Sequence, residues 1–187
     1  MRVFLALPMP DAVRDGLVAL QGRIKAGRKV APEHLHMTLV FAGEVPEAQL
    51  AELDDQLQDL TVPALPIRLR GLSVMGGGRV LSIQQRADTG LIGFQARLER
   101  RVRDAGIRLQ KRRFQPHVTI ARWREGDVAA LEGAGRALER FGDVEMPGGT
   151  MDRVAMYRSE LRPEGAVYHE LACYPDLPPW AVGPGAP

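Results

Sequence analysis

Two copies of one short pattern, His36-Met37-Thr38-Leu39 and His117-Val118-Thr119-Ile120, constrain this chain more than any other feature. Both read His-x-Thr-apolar, both lie among β-branched and apolar residues, and 81 positions separate them. A pattern this loose arises by chance in roughly a few per cent of chains of this length, and twice in well under about one per cent. Side chains along a strand alternate between faces, so His36 and Thr38 share one side while Met37, Leu39 and Phe41 share the other. His117 and Thr119 stand in the same relation to Val118 and Ile120. If the two strands meet, two imidazoles and two hydroxyls converge on one small polar site. That set suits a phosphoryl group: hydroxyls and protonated imidazole donate to its oxygens, and imidazole titrates near neutral pH.

The rest of the chain reads as alternating strands and helices around these two stretches. Met1 to Leu7 is a short apolar strand closed by Pro8-Met9-Pro10. Asp11 can cap a helix carrying Val13, Leu17, Leu20 and Ile24, with Lys25, Arg28 and Lys29 placed to favour its negative end. A loop from Val30 to Glu33 delivers the strand Leu35 to Ala42, and Pro46 starts a helix striped by Leu50, Leu53, Leu57 and Leu60. Ile67 to Val74 and Val80 to Gln84 then alternate as a hairpin around Met75-Gly76-Gly77-Gly78. The triple glycine is not a phosphate loop, because no Lys-Ser/Thr follows and no helix starts there.

Thr89 can cap a third helix to about Ala105, with Ile92, Ala96, Leu98 and Val102 facing inward, and Gly106 ends it. Ile107 to Arg113 reads as a short strand bearing Arg108, Lys111, Arg112 and Arg113. Such a charge run is a solvated face or, standing just before His117, a contact for an RNA backbone. After the strand His117 to Trp123 come a helix, Asp127 to Phe141, and a closing hairpin, Thr150 to Tyr157 with Ala166 to Tyr174, turned through Leu161 to Gly165. The predicted class is α+β, a bilobal duplicated fold with two mostly antiparallel sheets flanked by helices around a central cleft. Residues 1–174 form one domain on this reading, and 175–187 a loose tail.

Composition excludes several alternatives. With 25 basic and 23 acidic residues the net charge is +2, so this is no polycation and any nucleic-acid contact must be local. The single cysteine, Cys173, excludes an internal disulfide and a Cys-rich zinc site, and reads as a small buried hydrophobe. No run approaches a membrane span or a signal-peptide core, which makes a cytoplasmic location the expectation.

The residues also match a known family. Leu35-His36-Met37-Thr38-Leu39-Val40-Phe41-Ala42-Gly43-Glu44-Val45 resembles the first motif of the RNA 2′,3′-cyclic phosphodiesterases, also called 2′-5′ RNA ligases, of the 2H phosphoesterase superfamily. Phe114-Gln115-Pro116-His117-Val118-Thr119-Ile120-Ala121-Arg122 resembles their second. The resemblance implies metal-independent opening of an RNA terminal 2′,3′-cyclic phosphate to a 2′-phosphate by a protein without cofactors, expected to be monomeric. In such a reaction one imidazole takes a proton from water and the other gives one to the departing 3′ oxygen. We assign His117 as general base and His36 as general acid, an order the sequence leaves open. Thr38 and Thr119 would hold the non-bridging oxygens. The resemblance further implies base stacking on Phe41 and a phosphate or base contact from Arg122, although strand parity sets both away from the face of their histidines.

Other readings remain. His34 shares a face with His36, so His34, His36 and His117 could bind a metal, yet no Asp or Glu lies at ligand spacing within either motif. Ser73, Ser82 and Ser159 lack the glycine pattern of a nucleophile elbow, Cys173 has no motif around it, and His169 sits in an ordinary hairpin strand. A non-catalytic RNA-binding module and 2′-5′ ligation by reversal of the same chemistry are the rivals to hydrolysis.

Overall fold

A computed structural model describes residues 1–162 and 165–175. Strand β1 (Arg2–Pro8) is apolar and buried along most of its length, as suits a strand covered on both faces, with Val3, Leu5 and Leu7 in one buried cluster and Phe4 and Ala6 in another. Helix α1 (Asp11–Gly22) follows Pro10, which stands at its N-cap without a side-chain bond. The helix ends at Gly22, so Lys25, Arg28 and Lys29 lie beyond its last turn rather than within reach of its dipole. Arg28–Lys29 instead form a two-residue strand, β2, and the Lys29 ammonium donates to the carbonyls of Ile24 and Ala26.

A single 3₁₀ turn, Pro32–His34, leads into β3 (His36–Glu44), and α2 (Glu47–Leu57) follows behind Pro46. Next come β4 (Leu65–Ile67), β5 (Leu69–Met75) and β6 (Val80–Gln85). The expected strand Ile67 to Val74 is thus broken near Arg68, its first part belonging to another sheet. Gly76, Gly77 and Gly78 turn the β5–β6 hairpin, each at φ between 60 and 82°, a region open to glycine.

Helix α3 (Thr89–Asp104) is capped by Asp88, whose side chain accepts from the Leu91 N–H at 2.9 Å, so the cap lies one residue before Thr89. Its buried stripe is Leu91, Phe94, Gln95, Leu98 and Val102, while Ile92 is 50% exposed and Ala96 faces solvent. The stripe containing the Phe94 ring buries more apolar surface than the one through Ile92 and Ala96, and this sets the rotation of the helix. Ile107 to Arg113 forms no strand; Ile107 is buried and Leu109 packs on the core, but from Gln110 to Arg113 every residue is exposed and no apolar position continues the alternation.

Strand β7 (His117–Arg122) and α4 (Val128–Phe141) follow, with Asp127 as the cap, accepting from Ala130 N–H at 3.0 Å. The closing strand is interrupted at Asp152-Arg153, giving β8 (Gly149–Met151) and β9 (Val154–Arg162), and β10 (Gly165–Tyr174) completes the hairpin. Residues 163–164, within the turn expected from Leu161 to Gly165, and residues 176–187 of the expected tail lie outside the described residues.

Among the described residues, the α+β architecture with antiparallel sheets and four helices is as expected, but the sheets are unequal. One has eight strands, running β10-β9-β1-β3-β7-β6-β5 with β2 beside β7; the other is only β4 with β8. At its middle the large sheet is joined by a single residue pair, Met37 opposite Val118. The lobes are therefore the two sides of one sheet that opens on either side of this joint. They are not the two halves of the chain either, since β9 and β10 return to the outer side of β1. Helices also cross over: α1, which follows β1, packs on β7, and α3, which follows β6, packs on β3. The main core includes Leu5, Leu17, Met37, Leu53, Leu81, Phe94, Leu98 and Val118, and a smaller buried cluster is formed by Phe4, Ala6, Ala155 and Tyr157. Among the described residues no helix is long and apolar enough to cross a membrane.

Candidate active site

The joint of the sheet is where the two motifs meet. Met37 pairs with Val118, and the residues flanking that pair, His36 and Thr38 in β3 and His117 and Thr119 in β7, lie on the face opposite it. All four side chains are half-buried, whereas Met37 and Val118 are wholly buried on the helix side.

Each imidazole is held in the same way. His36 Nδ1 lies 2.7 Å from the carbonyl of His34, and His117 Nδ1 lies 2.7 Å from that of Gln115. A carbonyl can only accept, so Nδ1 carries the hydrogen in both rings, and each Nε2 is left to accept a proton or to give one. Equivalent bonds two residues upstream are a local consequence of how each strand begins, after the 3₁₀ turn in one case and after Pro116 in the other.

The surroundings of the two rings differ. His36 is walled by aromatic rings, with Phe4 at 5.0 Å between centroids, Tyr157 at 5.8 Å and Tyr168 edge-on at 5.2 Å. Burial pushes its pKa from 6.5 down to about 4, and the positive charges of Arg122, His34 and His117 act in the same direction against the bond to His34. Burial, reinforced by Glu170, also pushes the Tyr157 phenol up, so it stays protonated. Sequence reasoning missed Phe4, Tyr157 and Tyr168, because nothing in their local patterns distinguishes an aromatic that lines a site from one that fills a core.

Phe41 and Arg122 do lie with the histidines, contrary to simple parity. The β1–β3 register steps from Val40 to Thr38, leaving Leu39 unmatched, and the β6–β7 register steps from Ala121 to Thr119, leaving Ile120 unmatched. Each unmatched residue is a β-bulge, and one extra residue reverses the faces beyond it. Phe41 is therefore 55% exposed and 6.0 Å from the ring of Phe4, which itself packs on His36. Arg122 reaches Thr119 Oγ1, at 3.5 Å, and its charge is felt by His36.

The other candidates fall elsewhere. His34 packs edge-on against Tyr168, and among the described residues no three His, Cys, Asp or Glu side chains converge on a metal-sized site. His169 lies 3.3 Å from Glu160 on the outer hairpin. Cys173 is only half-buried, not enclosed as expected, and desolvation raises its thiol pKa. Arg108, Lys111, Arg112 and Arg113 are exposed on the segment that leads to His117.

Fold and site together define a protein with two His-x-Thr strands sharing one half-buried polar face. Residues 9–162 match the family model of the 2′-5′ RNA ligase superfamily, and the chain belongs to that family. It is 32% identical to the RNA 2′,3′-cyclic phosphodiesterase of Thermus thermophilus, over 91% of this chain and 88% of that one. It is 27% identical to the protein of the same name from Archaeoglobus fulgidus, over 93% of this chain and 99% of the relative. Among solved structures, Thermus thermophilus TT0787 superposes with a TM-score of 0.74 at 29% identity, covering 92% of this chain and 96% of that one. E. coli LigT complexed with 3′-AMP shares the fold, with a TM-score of 0.70 at 22% identity over 92% of this chain and 95% of that one.

Proposed function

We propose that this protein is an enzyme that hydrolyses RNA ending in a 2′,3′-cyclic phosphate to a 2′-phosphate end, using its two motif histidines as base and acid. The observation that carries this reading is the matched geometry of the rings. Both Nδ1 atoms are engaged by carbonyls, which leaves two Nε2 atoms beside two threonine hydroxyls on one face. Relatives covering most of the chain are named RNA 2′,3′-cyclic phosphodiesterase, which supports the same substrate class.

The chemistry balances with these groups alone. One Nε2 takes a proton as water attacks phosphorus; the bond from phosphorus to the 3′ oxygen breaks; the second Nε2 gives its proton to that oxygen. Thr38 and Thr119 donate to the non-bridging oxygens, and Arg122 adds positive charge beside them. Phe41, exposed at the rim, offers a face for the terminal base. No step requires a metal ion, and the threonines following each histidine are poor ligands for one.

The surroundings of the rings support an order opposite to the one assigned from sequence. A general acid needs its proton at working pH, and burial keeps His36 neutral well below pH 7. We therefore assign His36 as base, leaving His117 as acid. Two coupled groups give the same bell-shaped profile either way, so pH alone does not separate the orders.

The test uses RNA ending in a 2′,3′-cyclic phosphate, in EDTA, with the wild type, His36→Ala and His117→Ala. Turnover to a 2′-phosphate is expected for the wild type, with each substitution lowering kcat by about 10²–10⁴. Replacing the 3′ bridging oxygen by sulfur makes a leaving group that needs no proton, and should restore His117→Ala but not His36→Ala. The converse would return the roles to the sequence-based order. Binding without turnover would favour an RNA-binding module, and a joined product in excess 5′-hydroxyl RNA would favour ligation.

A further inference from the structure

Two buried glutamines form a reciprocal arrangement that the chemistry above does not use. Gln21 on α1 and Gln95 on α3 are 5% and 7% exposed, as buried as the apolar residues around them. Gln21 Nε2 donates to the carbonyl of Ile120, at 2.8 Å, and to that of Val30, at 2.9 Å. Gln95 Nε2 donates to the carbonyl of Leu39, at 3.3 Å, and to Glu99 Oε1, at 2.8 Å. Leu39 and Ile120 stand three residues after His36 and His117, and the neighbouring register skips both, as it also skips Ala42 farther along β3. Each glutamine therefore comes from a helix that has crossed the molecule, and each ends on a residue of a motif strand that the neighbouring register skips. In β3 this is the skipped residue nearer the histidine, and in β7 it is the one skipped residue.

We propose that Gln21 and Gln95 are positioning residues that latch the two bulges, and through them hold Arg122 and Phe41 on the face of the histidines. A bulge withdraws its residue from regular pairing, and a buried carbonyl without a donor is costly. Leu39 appears in neither register of β3, and its carbonyl accepts from Gln95 Nε2. At β7 the Val30 N–H also reaches the Ile120 carbonyl, at 3.1 Å, and Gln21 closes the pair by bonding both carbonyls. Removing a bulge shifts parity by one, which would send Phe41 or Arg122 to the opposite face. The motif pair alone cannot prevent this, because β3 and β7 meet at a single residue pair.

The catalytic half of this inference rests on the function proposed above, and the test separates the two. Gln95→Met and Gln21→Met keep the volume and remove the donor; Gln→Asn at either position retracts the amide by one methylene and serves where a Met variant does not fold. In Gln95→Met the nuclear Overhauser effect between the Phe4 and Phe41 rings should disappear, with that between Thr119 and Arg122 retained. Gln21→Met should show the reverse. The value of kcat/KM should fall on the order of ten- to a hundredfold in each. The loss from Gln95→Met should vanish when Phe41 is already Ala, and that from Gln21→Met when Arg122 is already Ala, a coupling that a general loss of stability does not produce. Unchanged ring proximities in folded variants, or losses that simply add, would overturn the latch. These proximities are read without turnover, so a wild type inactive on cyclic-phosphate RNA refutes the function above while the latch stands or falls on them.

Discussion

At the scale of single residues, the site is governed by one imidazole placed where a charge is unwelcome. His36 stacks among Phe4, Tyr157 and Tyr168, and its pKa of about 4 sits below the 6.5 of an unburied ring. A depressed histidine takes up its proton in the unfolded chain before the folded one. Its contribution to stability is thus present above about pH 6.5 and lost as pH falls toward about 4. The full loss is up to about 3 kcal/mol, and urea midpoints measured between these pH values should show it. In His36→Gln, which cannot titrate, that part of the pH dependence should be missing. An equal slope in the two proteins would mean that the ring is not desolvated in solution.

At the scale of elements, the strands and helices are tuned by small departures from regularity. The bulges at Leu39 and Ile120 reverse strand parity and bring Phe41 and Arg122 to the histidine side. Helix α4 depends on a close approach of another kind. A Cβ on Gly133 would lie 1.8 Å from the carbonyl oxygen of Lys25, so the helix rests directly on the backbone after α1. Gly135, in the same helix, has nothing within 4 Å of that position. Gly133→Ala should therefore destabilise by about 3 kcal/mol or more, the upper end of overpacking costs. Gly135→Ala should stabilise by about 0.5–1 kcal/mol through helix propensity. Thermal melts of the two variants check the contrast, and similar shifts would show that α4 does not sit on Lys25. The α1 stripe was legible because helix periodicity is local, whereas the caps expected at Asp11 and Thr89 each fall one residue earlier, at Pro10 and Asp88. The rotation of α3 was not, because burial of Phe94 rather than Ile92 depends on β3, a strand far earlier in the chain.

At the scale of the whole molecule, an eight-stranded sheet hinges on one residue pair and is braced by helices that cross between its sides. Its net charge of +2 gives little general attraction for RNA, so any binding must come from a local patch. The exposed group of Arg108, Lys111, Arg112 and Arg113 supplies one on the segment leading into β7. Replacing Lys111, Arg112 and Arg113 by Ala should weaken RNA binding with little change in kcat. The slope of log K against log salt should become shallower by about 0.7 for each phosphate that the variant no longer neutralises. An unchanged slope would make this run a solvated face.

The sequence by itself determined the repeated His-x-Thr strands, the α+β class, the hairpin turned by Gly76 to Gly78 and the four helices. Each of these follows from periodicity or backbone freedom within a few neighbouring residues. Only the tertiary structure decided which side chains share the face of His36 and His117. That face depends on the skipped register at Leu39 and Ile120, on helices exchanged across the sheet, and on a β9–β10 hairpin that returns to bring Tyr157 and Tyr168 to His36. These are pairings between residues far apart in the chain, and a bulge leaves no mark on local alternation until its partner strand is known.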